Sequence, residues 1–120
     1  MDVNTLIKKI KAHPDFGKAG MILTHNGIVR ETSRNGDKVS GLSITVDYEE
    51  LQRIIDTNRK RPGIIEILVD IAEENKKLEV GDDVMYIVVA GDIRENVIDT
   101  LTDTLNKIKK TVTAKTEFFI

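Results

Sequence analysis

The spacing of hydrophobic residues changes along the chain and predicts an alternation of helices and strands. Apolar residues recur at helical spacing near the N-terminus, which predicts a short helix there. They alternate with polar residues in the stretch that ends at Val46, which predicts a strand. The predicted elements are, in order, a helix over 2–12, strands over 20–30 and 39–46, a helix over 48–61, strands over 64–71 and 84–90, a helix over 92–110 and a final strand over 111–120.

The order of these elements predicts the fold class and the pairing of the first two strands. Helices and strands in this order indicate an α+β domain, with helices on one face of a mainly antiparallel sheet. We expect the first two strands to form a hairpin joined by a mobile loop. A chain of 120 residues is long enough for one domain, over 1–120, and too short for a second.

The last predicted helix has a clear start and a clear buried face. Asp92 is expected to be its N-cap, with Glu95 three residues later, close to the capping-box spacing. The expected buried stripe contains five aliphatic residues, namely Ile93, Val97, Leu101, Leu105 and Ile108.

The composition excludes several classes of function. The formal net charge is −2, so we expect no nucleic acid or membrane partner. The chain has no cysteine, which excludes disulfides, thiolate metal sites and a cysteine nucleophile. His13 and His25 lack acidic neighbours at ligand spacing, so we predict no metal and no cofactor. Residues 1–12 do not have the pattern of a signal peptide, and we expect a cytoplasmic protein.

Arginines near strand ends are candidates for binding an anion. Arg94 lies in the first turn of the last helix, where free N–H groups and the helix dipole favour negative charge. Arg30 ends a strand just before a polar loop. Both positions are also common for ordinary solvated arginines, so the pattern alone leaves both interpretations open.

Lysines cluster at the other end of the last helix. Lys109 and Lys110 lie in its last turn, where a cation complements the helix dipole by about 0.3–1 kcal/mol. This is a sufficient structural explanation for them. Arg94 and Lys109 are fifteen residues apart, hence about 22 Å along one helix. They can contact one small ligand only if the site is formed across a dimer.

Several short motifs follow one another at characteristic spacing. They are Gly27-Ile28-Val29-Arg30, Leu78 with Gly81-Asp82, Ala90-Gly91-Asp92-Ile93-Arg94, Ile108-Lys109 and Lys115-Thr116-Glu117. Their order and spacing resemble the large, catalytic subunit of molybdopterin synthase, over nearly the whole chain from residue 20 to residue 117. In that family the corresponding motifs are, in the same order, Gly-Thr-Val-Arg, Leu-x-x-Gly-Asp, a small-x-His-Arg helix start, Leu-Lys and Lys-Lys-Glu.

The resemblance implies a fold, partners and a set of site residues. It implies an α/β hammerhead-type domain that forms a homodimer and a heterotetramer with a small ubiquitin-like sulfur carrier. The carrier's C-terminal Gly-Gly thiocarboxylate would supply sulfur to cyclic pyranopterin monophosphate in molybdenum cofactor biosynthesis. By the same resemblance, Arg30 and Arg94 would bind the anionic substrate. Lys109 would lie near the incoming thiocarboxylate, and Lys115 would be a second catalytic lysine.

The chain differs from the family at positions that matter for this chemistry. Ile93 replaces a histidine, Glu73-Glu74 replaces a His-Arg pair, and Val112-Thr113-Ala114 replaces a segment with tryptophan. The interval from Lys109 to Lys115 is one residue shorter than in the family. Two alternatives to an active sulfurtransferase therefore stay open: a non-catalytic dimeric relative that acts as a binding or assembly module, and an unrelated α+β binding module.

Overall fold

The computed structural model describes residues 1–120 and contains three α-helices and six strands. None of the helices is long and apolar enough to cross a membrane. The helices are α1 (Val3–Lys11), α2 (Tyr48–Asn58) and α3 (Arg94–Lys107). The strands are β1 (Met21–Ile28), β2 (Val39–Val46), β3 (Ile64–Ile71), β4 (Leu78–Glu79), β5 (Asp83–Gly91) and β6 (Thr113–Phe119). A 3₁₀ turn (Phe16–Lys18) follows α1, and a π-helical turn (Ile108–Val112) joins α3 to β6.

The strands form two antiparallel sheets of three strands each. The first sheet has the order β1-β5-β3, and the second has the order β4-β2-β6. The α+β class is thus confirmed. The predicted hairpin of β1 with β2 is wrong, because β1 pairs with β5 and β2 pairs with β6. Only an isolated bridge between Thr32 and Lys38 links the two chain segments.

Strand β5 explains why the hairpin does not form. Residues Met85 to Gly91 are all buried, so this strand lies at the centre of its sheet and pairs on both edges. β1 occupies one edge, in a register that places Met21 opposite Gly91. β2 is left to pair with the last strand of the chain, a contact between distant segments that local sequence patterns do not reveal.

Helices cover both faces of the first sheet, which corrects the expectation of a single covered face. On one face, Leu6 and Ile10 of α1 pack in a cluster with Tyr86, Val88 and Ala90. The other face of β5 packs with α2 and α3 in the largest core cluster, which contains Leu51, Ile54, Ile55, Ile67, Met85, Ile87, Val89, Val97, Ile108 and Val112. A strand buried on both faces requires this two-sided cover.

Helix α3 begins two residues later than expected. The N–H of Asp92 donates to the carbonyl of Gly63, which prolongs the edge of the sheet. The Asp92 carboxylate accepts hydrogen bonds from the Ile93 N–H and the Asn96 side chain, and the N-cap position falls on Ile93. The prediction of Asp92 as N-cap is therefore wrong, although its carboxylate does bind groups of the first turn.

The buried stripe of α3 also differs from the expected one. Ile93 is 53% exposed, because it precedes the helix with an extended backbone. Val97 and Ile108 are buried, as expected. Two threonines complete the stripe, Thr100 and Thr104. Thr104 is tolerated in the core because its hydroxyl accepts a hydrogen bond of 2.8 Å from the buried Asn58 side chain of α2.

The π-helical turn after α3 anchors the junction between the sheets. Ile108 is fully buried and Val112 is 4% exposed, and both belong to the largest core cluster. The carbonyl of Val112 accepts a hydrogen bond of 2.8 Å from the N–H of Asp47, the residue between β2 and α2. This anchoring directs the chain from the first sheet into β6 of the second.

We expect Ile108→Ala to lower the free energy of unfolding by about 2–5 kcal/mol, because it removes a fully buried side chain. Ile98→Ala is the matched control. Ile98 lies on the same helix but is 45% exposed, so its loss should cost well under half as much. Urea unfolding of both variants measures the difference, and equal costs would contradict the anchoring role of Ile108.

Candidate active site

A groove of about 530 Å³ lies between the two sheets. We call it the central groove. Strands β1 and β5 of the first sheet form one wall, and β2 and β6 of the second sheet form the other. Its apolar lining residues are Ile28, Leu42, Ile44, Val84, Met85 and Phe119, and its charged lining residues are Arg34, Asp37, Lys109, Lys115 and Glu117.

Strand β6 presents every second side chain to the central groove. Lys115 lies opposite Ile44 in the β2–β6 register, and Glu117 lies opposite Leu42. Because side chains alternate between the two faces of a strand, these four residues share one face. Phe118 lies on the other face, with its ring 5.4 Å from the Nζ of Lys77. A shift of one residue would remove Lys115 from the groove.

Lys109 and Lys115 both line the central groove. Lys109 projects from the π-helical turn and Lys115 from β6, so the anchored junction brings together two lysines from different elements. Lys115 has a carboxylate partner, since its Nζ lies 3.9 Å from Glu117. Their shared location fits the roles inferred from the resemblance, and those roles stay predictions.

Arg30 and Arg94 do not line the central groove. The Nε of Arg30 donates to the carbonyl of Thr32 at 2.9 Å, which holds its side chain against its own loop. The Arg94 side chain is 79% exposed, and its Nε lies 3.2 Å from Glu95. Arg94 borders a separate shallow depression at the opposite end of α3. Within a single copy of the chain, Arg94 therefore lies far from Lys109 and Lys115. The length of the helix predicts this separation.

The loop between β1 and β2 contributes a cation that the sequence analysis missed. Arg34 lines the central groove, in a tight turn organised by the buried Ser33. The Ser33 N–H donates to the Asp37 carbonyl at 2.8 Å, and its hydroxyl accepts from the Asp37 N–H at 3.2 Å. Local sequence patterns do not reveal this role of Arg34, because basic residues are common in polar loops. Arg34 lines a groove only because the distant strands β2 and β6 form a wall there.

His25 is the second residue that the sequence analysis left without a role. It lies on β1 in the wall of the central groove, beside Gly27. Burial lowers the pKa of its imidazole, and the positive charge of Lys109 lowers it further. Both effects favour the neutral form of the imidazole.

The chain is similar to known proteins in sequence and in fold. A family model described as "MoaE protein" matches residues 1–111. The chain belongs to the MoaE family. No curated protein sequence matches it.

Several solved structures share the fold. Molybdopterin synthase from Staphylococcus aureus has a TM-score of 0.73 and 23% identity, with 86% of this chain and 77% of that chain covered. Molybdopterin cofactor biosynthesis protein E from Burkholderia multivorans has a TM-score of 0.76 and 20% identity, with 100% and 84% covered. A complex of subunits 1 and 2 of molybdopterin-converting factor from Helicobacter pylori has a TM-score of 0.71 and 16% identity, with 99% and 84% covered.

The acidic pair of this MoaE-family chain stays out of the central groove. Glu73 is exposed to solvent, and Glu74 accepts a hydrogen bond of 2.6 Å from the N–H of Val46 on the edge of β2. Neither residue lines the groove. Glu73 and Glu74 therefore add no negative charge to the lining of the central groove.

The charges that do line the groove leave it weakly positive. Three cations (Arg34, Lys109 and Lys115) face two carboxylates (Asp37 and Glu117), so the formal charge of the lining is 3 − 2 = +1. The net charge of the whole chain is −2, so the positive charge is a local property of this MoaE-family groove. A groove of this size, lined by six apolar residues and by three cations, suits an anionic organic ligand.

Proposed function

We propose that this chain is the catalytic subunit of a molybdopterin synthase. In this role it transfers sulfur from the C-terminal thiocarboxylate of a small ubiquitin-like carrier to cyclic pyranopterin monophosphate, in molybdenum cofactor biosynthesis. Membership of the MoaE family supports the role. The observation that carries the proposal is the convergence of Lys109 and Lys115 on one groove, although they project from different elements.

The central groove offers what a carrier tail and an anionic pterin require. A thiocarboxylate and a phosphate are both negatively charged, and three cations line the groove. Ile28 and Phe119 line it too, and they are 55% and 59% exposed, so a partner protein can cover apolar surface there. The Helicobacter pylori structure, with its two subunits in one complex, supports a small-subunit partner.

The two lysines have different surroundings and therefore different proposed roles. Lys115 lies beside Glu117, whose carboxylate can hold the ammonium in place. Lys115 is the proposed acid/base or charge-stabilising group. Lys109 has no carboxylate partner within 4 Å, so its positive charge is available to the incoming thiocarboxylate. Sulfur enters with the carrier, which accounts for catalysis by a chain without cysteine.

The complete site is proposed to form across a homodimer. Arg94 lies about 22 Å from Lys109 along one helix, too far for both to contact one small substrate. A partner protomer can supply Arg94, and with it a contact to the substrate phosphate. Arg30 is the second proposed substrate-binding arginine, after it leaves its contact with Thr32. With one carrier at each end, such a dimer makes a heterotetramer.

The function is tested by reconstitution with a thiocarboxylated carrier that ends in Gly-Gly and with cyclic pyranopterin monophosphate. We expect the wild-type protein to form molybdopterin, and Lys109→Ala to slow this reaction by about 100-fold or more, through loss of charge stabilisation. Lys110→Ala is the matched control, because Lys110 is the adjacent exposed lysine and does not line the groove.

Both lysines are exposed, so neither substitution should change thermal stability. Lys109→Ala at the wild-type rate would contradict the role of that lysine. Carrier binding without any product from the wild-type protein would instead support the non-catalytic binding module.

The composite site is tested by mixing subunits. We expect Arg94→Ala and Lys109→Ala homodimers to be inactive, and an equal, re-equilibrated mixture to regain about one quarter of the wild-type rate. Half of the dimers are then mixed, and each mixed dimer keeps one intact site. If both residues acted within one protomer, mixing would restore no activity.

A further inference from the structure

One buried side-chain nitrogen has no hydrogen-bond partner. It is the Nε2 of His25, in the wall of the central groove. The atom lies 3.4 Å from the position that a Cβ on Gly27 would take, close to the Met85 side chain. Leaving a buried polar atom unsatisfied destabilises the folded protein. Buried polar atoms of folded proteins are almost always paired, so this atom calls for an explanation.

Lys109 is a cation of the same groove that can supply a donor to this atom. Its ammonium has three donors and no acceptor, and its long side chain can change rotamer at low cost. Lys109 lines the same groove, and its charge acts on the His25 ring. The other charged groups that line the groove are Lys115 and Glu117 on β6, with Arg34 and Asp37 on the loop after β1.

We propose that His25 is a positioning residue for Lys109, and that its Nε2 accepts a hydrogen bond from the Lys109 ammonium when the groove is filled. The proton of the neutral ring is then on Nδ1. This inference rests on the proposed function, in which Lys109 meets the carrier's thiocarboxylate. It adds a residue that the motifs of the resemblance do not contain.

A neutral acceptor suits this task better than a carboxylate. An imidazole can fix the direction of an ammonium without cancelling its charge, whereas a carboxylate forms an ion pair and reduces the local positive potential. Lys115 has such a carboxylate partner in Glu117. The two lysines then differ in their partners. Lys115 is held by a carboxylate, whereas Lys109 keeps its full positive charge for an anionic ligand. The lowered pKa of His25 favours the neutral form of the ring.

The first test does not depend on activity. NMR titration should give a His25 pKa below the ordinary value of 6.5 in the wild-type protein. Lys109→Met should raise this pKa, because it removes a nearby positive charge. Lys110→Met is the control and should leave it unchanged. A His25 pKa that is unaffected by Lys109→Met would overturn the inference.

The second test compares two substitutions of His25. His25→Phe keeps a flat ring of similar size and removes the unsatisfied nitrogen, so it should leave the thermal midpoint unchanged or raise it. It should lower kcat in the reconstituted reaction by about 10- to 100-fold, with little change in KM, because Lys109 loses its orientation. His25→Gln keeps a side-chain acceptor and should recover part of the rate.

The outcomes separate this inference from the proposed function. A purely structural histidine would give a less stable His25→Phe protein, and that result would overturn the inference, as would a wild-type rate in His25→Phe. A wild-type protein that forms no product overturns the proposed function, and the titration and the thermal midpoint still decide whether His25 and Lys109 are coupled.

The stability of the wild-type protein should also depend on pH through this residue. The folded-state pKa of His25 is lowered, so the unfolded chain binds this proton more readily. The contribution of the neutral His25 ring to the free energy of unfolding is complete above about pH 6.5. It is lost as the pH falls through the folded-state pKa. His25→Phe should therefore lose less stability than the wild-type protein over this range in urea unfolding, and equal losses would contradict a neutral buried ring.

Discussion

Burial of the π-helical turn is the constraint on which the candidate site depends. Ile108 and Val112 enter the largest core cluster, and the backbone of Val112 is tied to Asp47 between β2 and α2. This contact directs the chain from α3, which packs on the first sheet, to β6 in the second sheet. Without this contact, the position of Lys109 relative to β6 would not be fixed, and the groove between the sheets would lose one wall.

The same constraint explains how a weakly acidic protein can present a positive site. The cations of the central groove come from three elements: the loop after β1, the π-helical turn and β6. None of them is part of a basic run large enough to change the charge of the whole chain. Their convergence is a product of the fold, and each has a different immediate environment. Glu117 accompanies Lys115, while His25 lies in the wall that Lys109 shares.

Local patterns predicted the elements well and their partners poorly. The expected strands over 39–46 and 64–71 have the bounds that the structure shows, because alternation and breaker residues are local signals. The pairing of β2 with β6 was missed, since it joins residues more than 65 positions apart. Arg34 and His25 were missed for the same reason, because only the assembled walls make them neighbours of the lysines. Lys109 and Lys115 were found through the resemblance, and the structure places them in one groove.

The central claim is that the groove between the sheets receives the carrier's C-terminal tail beside Lys109 and Lys115. Isotope-filtered NMR on the complex with a ubiquitin-like carrier, labelled at its terminal Gly-Gly, tests it most directly. We expect contacts from these glycines to the side chains of Ile28, Ile44 and Phe119 in the groove. Contacts confined to residues outside the central groove, in a complex that forms, would contradict it.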